Sequence, residues 1–152
     1  MKYSSRRETI KHIRNVRRFI FKIIVSLFVR ALTHDKTKLQ KYEKKGFDEY
    51  TPRLAGMTYG SEEYKQCLLE LKPYLDHHYA VNRHHPEHFE LGLQQMNLVD
   101  VIEMFCDWYA ATKRHKDGDI IKSIQINQKR FNYSRELKRL FINTYIDFFR
   151  EE

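Results

Sequence analysis

The sequence predicts an all-α protein, and three observations lead there. Only five Gly and three Pro are spread over 152 residues, which suits helices joined by short connections better than a turn-rich β fold. Apolar residues recur at three- and four-residue spacing, as in Ile10, Ile13 and Val16 or in Leu137, Phe141, Tyr145 and Phe148, and no stretch alternates apolar with polar residues as a half-buried strand does. Good helix caps stand directly before periodic segments, at Ser61, Asn97 and Ser134. With 41% hydrophobic and 32% charged residues, the chain has the composition of a globular protein and the length of one domain, residues 1–152.

Residues 9–16 read as a first helix and residues 19–32 as its continuation, a largely buried central helix because apolar residues surround nearly every side of it. Residues 36–60 are polar and hold Gly46, Pro52, Gly56 and Gly60. They read as a loop with one short helix over 39–44, the stretch where a mobile lid is expected. Ser61, followed by two glutamates, opens a helix through Cys67, Leu68 and Leu71, with Pro73 marking a bend or a restart. Residues 74–83 continue as helix and stop near Pro86, because the residue before a proline avoids helical geometry. Asn97 caps a helix through Val101, Phe105 and Trp108 to about His115. A turn over 116–119 leads into a helix over 120–130, and Ser134 caps a last helix whose apolar stripe ends at Phe148.

Several function classes are disfavoured at once. Cys67 and Cys106 make no disulfide framework and no CxxC pair, and both are expected as buried free thiols in a reducing compartment. The longest apolar run, 19–32, is broken by Lys22, Ser26 and Arg30 and is too short for a membrane span. The first residues lack the pattern of a signal peptide, so a cytoplasmic protein is expected, with no membrane partner. The net charge of +8 sits in residues 1–30, where nine basic residues face the single acid Glu8. Such a run could face nucleic acid, but a solvated face is the more ordinary reading and no stacking pattern favours the other.

The histidines are the chemical signal. Five of the eight lie between positions 77 and 88: His77, His78, His84, His85 and His88. Imidazole nitrogen together with carboxylate oxygen suits Fe, Mn, Zn and related divalent metals. On one helix His78, Asn82 and His85 would share a face, yet His78 and His85 would stand about 10.5 Å apart along an ideal axis. One ion with bonds of about 2 Å cannot take both from a straight helix, so either two metals are bound or the chain turns before His84. Pro86 favours the turn.

Asp100, Glu103 and Asp107 form a carboxylate stripe at i, i+3 and i+7, with Arg114 two turns further on. Apolar neighbours (Met104, Phe105, Cys106, Trp108) place Asp107 at least partly inside, where it needs a metal, a cation or several hydrogen bonds. The ordinary alternative is a pair with Arg114 or Arg30. Adjacent His34 and Asp35 end an apolar helix, where both can reach one ion, and Lys38 follows three residues later, placed to meet an anionic ligand.

Taken together, these residues resemble the HD superfamily of metal-dependent phosphohydrolases. His12, 22 residues before the pair, matches the lone early histidine, and Ala31-Leu32-Thr33-His34-Asp35-Lys36-Thr37-Lys38 matches the His-Asp-x-x-Lys element. His84-His85-Pro86-Glu87 is similar to the His-His-Glu element of its cyclic-dinucleotide branch, although Pro86 interrupts it and no Gly-Tyr-Pro element is present. The segment 105–110 resembles the late helix with the final Asp. Over most of its length the chain also looks like a family of short uncharacterised bacterial and phage proteins.

The resemblance implies an HD-type helical bundle with one or two divalent metals (Fe, Mn, Zn, Co or Ni, with Mg a further candidate). The implied ligands are His12, His34, Asp35, His78, His84, His85 and Asp107, with His77 the rival to His78. It implies hydrolysis of a nucleotide or another small phosphate ester. Lys38, Arg83, Arg114 and Asn82 would bind the substrate. Lys38 and Asp35 would act in catalysis, with Glu87 or Glu103 as proton shuttle or as partner to a ligating imidazole. The alternatives are a di-iron oxygenase of the same type and a non-enzymatic metal-containing interaction module. Ten Tyr and ten Phe would suit a homodimer.

Overall fold

The computed structural model describes residues 5–57, 61–114 and 118–150. The His115 end expected for the fourth helix and the Lys116-Asp117 turn lie outside the described residues, as does Gly60. Two compact units are present, Met1–His34 and Asp35–Glu152. Among the described residues there are six α-helices and no strand, so the fold is all-α.

The first unit is one helix, α1 (Arg6–Thr33). No Gly or Pro interrupts it, and Glu8 in its first turn and Arg30 in its last suit the helix dipole. The two expected segments are therefore one. The expected burial is not found: no residue of α1 is buried, and Phe21 and Phe28 are more than 60% exposed. The physical reason lies in the unit itself. Taken by itself, a single helix has no interior in which to bury a side chain.

In the second unit a 3-10 turn (Lys36–Leu39) leads into α2 (Lys41–Ala55), which packs along α3 (Glu62–Val81). Residues 41–55 are thus a helix and not the loop or lid their composition suggested. At Gly46 α2 comes close to α3: a Cβ there would run into the Tyr74 ring. The tyrosines Tyr42, Tyr50 and Tyr74 line this contact, Tyr42 and Tyr74 with centroids 5.1 Å apart. Glycine thus serves close packing here, and tertiary contact outweighs its poor helix propensity. The same packing carries Pro52 and Pro73 inside their helices, so Pro73 marks no restart. Ser61 caps α3 by accepting from the Tyr64 N–H.

Helix α3 stops at Val81, earlier than Pro86 alone suggested, because Asn82 turns to extended geometry (φ −112°) and its side-chain amide donates to the His78 carbonyl. Short 3-10 turns over Pro86–His88 and Gly92–Gln95 follow. Helix α4 (Leu98–Thr112) opens with a full capping box of Asn97 and Asp100. Asp119 caps α5 (Ile120–Phe131) and Ser134 caps α6 (Arg135–Phe148).

The core of this unit lies among α4, α5 and α6, with Met104, Phe105, Ile120, Ile124, Tyr133 and Phe141 buried. The Phe105 and Phe141 rings stack with centroids 5.3 Å apart, and the Tyr133 hydroxyl donates to the Ile124 carbonyl at 2.6 Å. Phe148, the last residue of the expected apolar stripe, faces outward instead, as does Leu98 at the start of α4. Helix α6 ends at Phe148, and Phe149, with φ −131°, leaves helical geometry and packs against Phe105 and Tyr109 in its place. Of the two thiols Cys67 is buried, whereas Cys106 is exposed, on the side of α4 away from its buried neighbours Met104 and Phe105.

Candidate metal centre

Asp35 begins the site. Its φ of +54° lies in the left-handed region, which Asp tolerates better than most residues, and the Lys36–Leu39 turn follows at once. Its two carboxylate oxygens have separate tasks. Oδ2 accepts from Lys38 Nζ at 2.6 Å, while Oδ1, shielded from solvent, lies 3.3 Å from His78 Nε2 and 3.5 Å from His84 Nε2.

The histidines reach the same point by two routes. His78 projects from the last turn of α3 and is 1% exposed. The chain then reverses at Asn82, so that His85 returns to bring its Nε2 within 2.9 Å of His78 Nε2. The turn before His84 is thus the device that cancels the two-turn separation. His84, also 1% exposed, sits between Asp35 and α4.

Asp35, His78, His84 and His85 each offer one donor atom, all within 4.8 Å of one another. Their spacing tests whether they fit an ion. Donors bound at about 2.1 Å lie about 3.0 Å apart at a right angle and about 3.4 Å apart at a tetrahedral angle. The separations of 2.9, 3.3 and 3.5 Å fall on those values. This buried cluster could hold a metal ion. A carboxylate oxygen of Asp107 lies within 4.8 Å of Asp35 and extends the donor set toward α4.

Behind the donors stand two buried acids. Glu43, fully buried on α2, accepts from Thr37 Oγ1 at 2.8 Å, His77 Nδ1 at 2.8 Å and His78 Nδ1 at 2.9 Å. Burial pushes its carboxyl up. The hydrogen bonds from Thr37, His77 and His78, with the field of His78, pull it down by more, so Glu43 rests below its ordinary value, ionised. A carboxylate can only accept, so His78 donates its Nδ1–H and turns the Nε2 lone pair into the cluster. Glu103, 9% exposed on α4, stands 3.3 Å from His84 Nδ1 in the same relation. Burial, with the fields of His84 and His78, pushes His85 down to about 3 against the opposing pull of Asp107. The neutral imidazole is the form a metal takes.

The other expected residues fall out as follows. His77 is bound to Glu43 with its side chain 42% exposed, outside the donor cluster. Lys38 faces Asp35 and lies over the Phe47 ring. Asn82 caps α3 and donates to Thr37 Oγ1. Arg83 makes a two-point pair with fully buried Asp100 and covers Phe89. Glu87 pairs with Arg130 at 2.5 Å. Arg114, just past the end of α4, is exposed. His12, exposed on α1, and half-buried His34 belong to the first unit, and their place in the ligand set rests on the sequence pattern.

Sequence reading missed Glu43 and Arg130. Glu43 is a lone acid among Lys41, Lys44 and Lys45 in a stretch taken for loop. Had 41–55 been read as a helix, an acid on its inward side would have been the signal. Arg130 had no signal beyond its place on the polar side of α5.

Fold and site together define an all-helical protein with a buried His/Asp/Glu cluster able to hold a metal. The chain belongs to a family of unknown function, DUF5662, whose pattern covers residues 1–149. No curated protein and no solved structure matches it. Among the described residues no helix is long and apolar enough to cross a membrane.

Proposed function

We propose that this protein is a metal-dependent phosphohydrolase acting on a nucleotide or another small phosphate ester. One or two divalent ions (Fe, Mn, Zn, Co or Ni) would be held by Asp35, His78, His84 and His85 with Asp107. The observation that carries the reading is the convergence of three imidazoles and a carboxylate at ligand spacing, with Glu43 and Glu103 braced behind two of the rings. The resemblance to HD proteins supplies the reaction class, by analogy of pattern.

An ion bound there supplies a Lewis acid for a phosphoryl oxygen and a water that ionises near neutral pH. The chain's own residues do the rest. Lys38 fixes Asp35 Oδ2 so that Oδ1 faces the donors, which makes Lys38 a positioning residue before it is a phosphate contact. Glu43 and Glu103 set the ring orientations of His78 and His84, so that of the two candidate acids Glu103 is the partner to a donor imidazole, while Glu87 pairs with Arg130.

Elemental analysis of tag-free protein tests the metal, on wild type and on Asp35→Ala. Near-stoichiometric metal, lost in the variant, is the expected result, and phosphate release from a panel of nucleotides and sugar phosphates with that metal tests the reaction. Wild type that stays metal-free after reconstitution ends the enzyme reading. Metal-loaded protein that consumes dioxygen and releases no phosphate replaces hydrolysis with oxygenation. The same analysis on His12→Ala and His34→Ala decides whether the sequence pattern named those two correctly.

A further inference from the structure

Thr37, in the Lys36–Leu39 turn, and Asn82, at the reversal after α3, meet at the Nδ1 side of the buried His78 ring. Thr37 Oγ1 lies 2.8 Å from Glu43 Oε2, 2.9 Å from Asn82 Nδ2 and 3.3 Å from His78 Nδ1. Asn82 Nδ2 lies 3.0 Å from the same ring nitrogen, almost as near as Glu43 Oε2 at 2.9 Å. Two groups thus compete for His78 Nδ1, a carboxylate that accepts and an amide nitrogen that donates. Which of them wins sets the tautomer of the ring.

Each hydrogen has a definite destination. The His78 carbonyl, 2.8 Å away, holds the amide nitrogen of Asn82 in place and takes one of its two hydrogens. Thr37 Oγ1 takes the other. The Thr37 hydroxyl then sends its own hydrogen to Glu43, a carboxylate that can only accept. Nothing is left on Asn82 for His78 Nδ1, so that nitrogen also donates to Glu43 and Nε2 turns its lone pair toward the donors. Without the hydroxyl this order fails. The His78 carbonyl still holds the Asn82 amide 3.0 Å from Nδ1, now with an uncommitted hydrogen. The ring gains a second arrangement, accepting from Asn82 at Nδ1 and carrying its proton on Nε2. Glu43 still competes for the ring proton, so the result is a mixture of tautomers and not a full switch.

We propose that Thr37 is a positioning residue: by taking the second Asn82 hydrogen it fixes His78 as the Nδ1–H tautomer. The inference goes beyond the phosphohydrolase reading and rests on the metal centre only for the use made of the Nε2 lone pair. It also recasts Asn82, expected from sequence as a substrate contact, as a donor that would misdirect His78 if Thr37 did not occupy it.

Ring-nitrogen NMR of the full-length protein, stripped of metal and held above the histidine titration range, reads the His78 tautomer directly. In wild type the two shifts should be well separated, Nδ1 at the value of a protonated nitrogen and Nε2 at that of an unprotonated one. Thr37→Val keeps the shape and removes the hydroxyl. It should draw the two shifts together, because exchange between tautomers averages them, and Thr37→Ser should restore the separation. In Thr37→Val/Asn82→Ala the competing hydrogen is gone, and the wild-type separation should return. Metal affinity of Thr37→Val should fall about 3- to 10-fold, less than the usual cost of removing a carboxylate behind a ligating histidine. An Nε2–H ring in wild type, unmoved shifts in Thr37→Val, or a double variant that stays converged overturns the proposal. So does Thr37→Ser behaving like Thr37→Val, which would assign the effect to the methyl group. Metal content of the same samples separates the two readings. Protein that takes up no metal but shows the expected shifts refutes the metal reading and keeps the role of Thr37, whereas stoichiometric metal with unmoved shifts in Thr37→Val refutes that role alone.

Discussion

Replacing Glu43 by Gln removes one charge from the interior and changes almost no volume. In the native site Oε2 accepts from both Thr37 and His78 and Oε1 accepts from His77, and none of the side chain is exposed. A glutamine has one acceptor oxygen. If that oxygen takes the Oε2 position, His78 keeps a neutral hydrogen bond in place of a charge-assisted one about twice as strong. The amide NH₂ then meets His77, which is partly exposed and can accept by changing tautomer. If the amide takes the other orientation, His78 must carry its proton on Nε2, toward the donor cluster, and is lost as a ligand. The milder case corresponds to the usual effect of removing a carboxylate behind a ligating histidine, about 10- to 100-fold in metal affinity. That is about 1.4–2.7 kcal/mol. Competition with a chromophoric chelator measures it, with stoichiometry at saturating metal unchanged. Affinity within twofold of wild type in a folded Glu43→Gln protein would show that Glu43 does not set the His78 tautomer, and the braced-ligand reasoning would fall. Glu103→Gln, acting across the longer 3.3 Å contact to His84, should cost less than Glu43→Gln.

Three further outcomes follow from the packing. Gly46→Ala puts a methyl group into the Tyr74 ring and should destabilise the protein by about 1–3 kcal/mol in denaturant unfolding, a cost that should largely vanish when the same change is made in a Tyr74→Ala background. Phe141→Ala, in the buried centre of α4–α6, should cost about 3–5 kcal/mol, and a loss under 1 kcal/mol would mean the core is placed wrongly. Burial pushes the Tyr133 phenol from 10.0 to about 12. Its folded value is the raised one, so this contribution is intact below pH 10 and is lost as pH rises from about 10 to 12, at most about 2.7 kcal/mol. Tyr133→Phe should flatten that part of the stability-against-pH curve.

The caps Asn97 and Ser134, the turn before Ile120 and the apolar periodicity made α4, α5 and α6 legible to within a few residues, because each acts through its own neighbours in sequence. Helix α2 was not legible. Gly46 and Pro52 are breakers on local grounds, and only the Tyr74 ring, 28 residues away, turns that glycine into a contact. The same division runs through the site. Histidine clustering and the His-Asp pair advertise the donors, since residue type alone marks them. The acids behind them do not show, because Glu43 gains its role from a fold-dependent approach to His77 and His78. Lys38 and Arg83 are the instructive reassignments: each looked like an anion contact, and each faces a carboxylate of the chain itself. A cation's sequence position cannot say whether an internal acid has already engaged it.

The centre draws on segments far apart in sequence: Asp35 before the 3-10 turn, His78 at the end of α3, His84 and His85 after the reversal, and Asp107 on α4. An ion held by donors that only the folded unit brings together binds the folded state and not the unfolded chain. Metal and fold of the second unit should therefore be linked. At metal a hundredfold above its dissociation constant, one site adds about 2.7 kcal/mol, which for a chain of this size raises the melting temperature by about 8 °C. Differential scanning calorimetry with and without the metal measures the rise, and Asp35→Ala should show none of it. A rise of equal size in Asp35→Ala would place the ion elsewhere, on surface histidines such as His77 or His88, and would remove Asp35 from the ligand set.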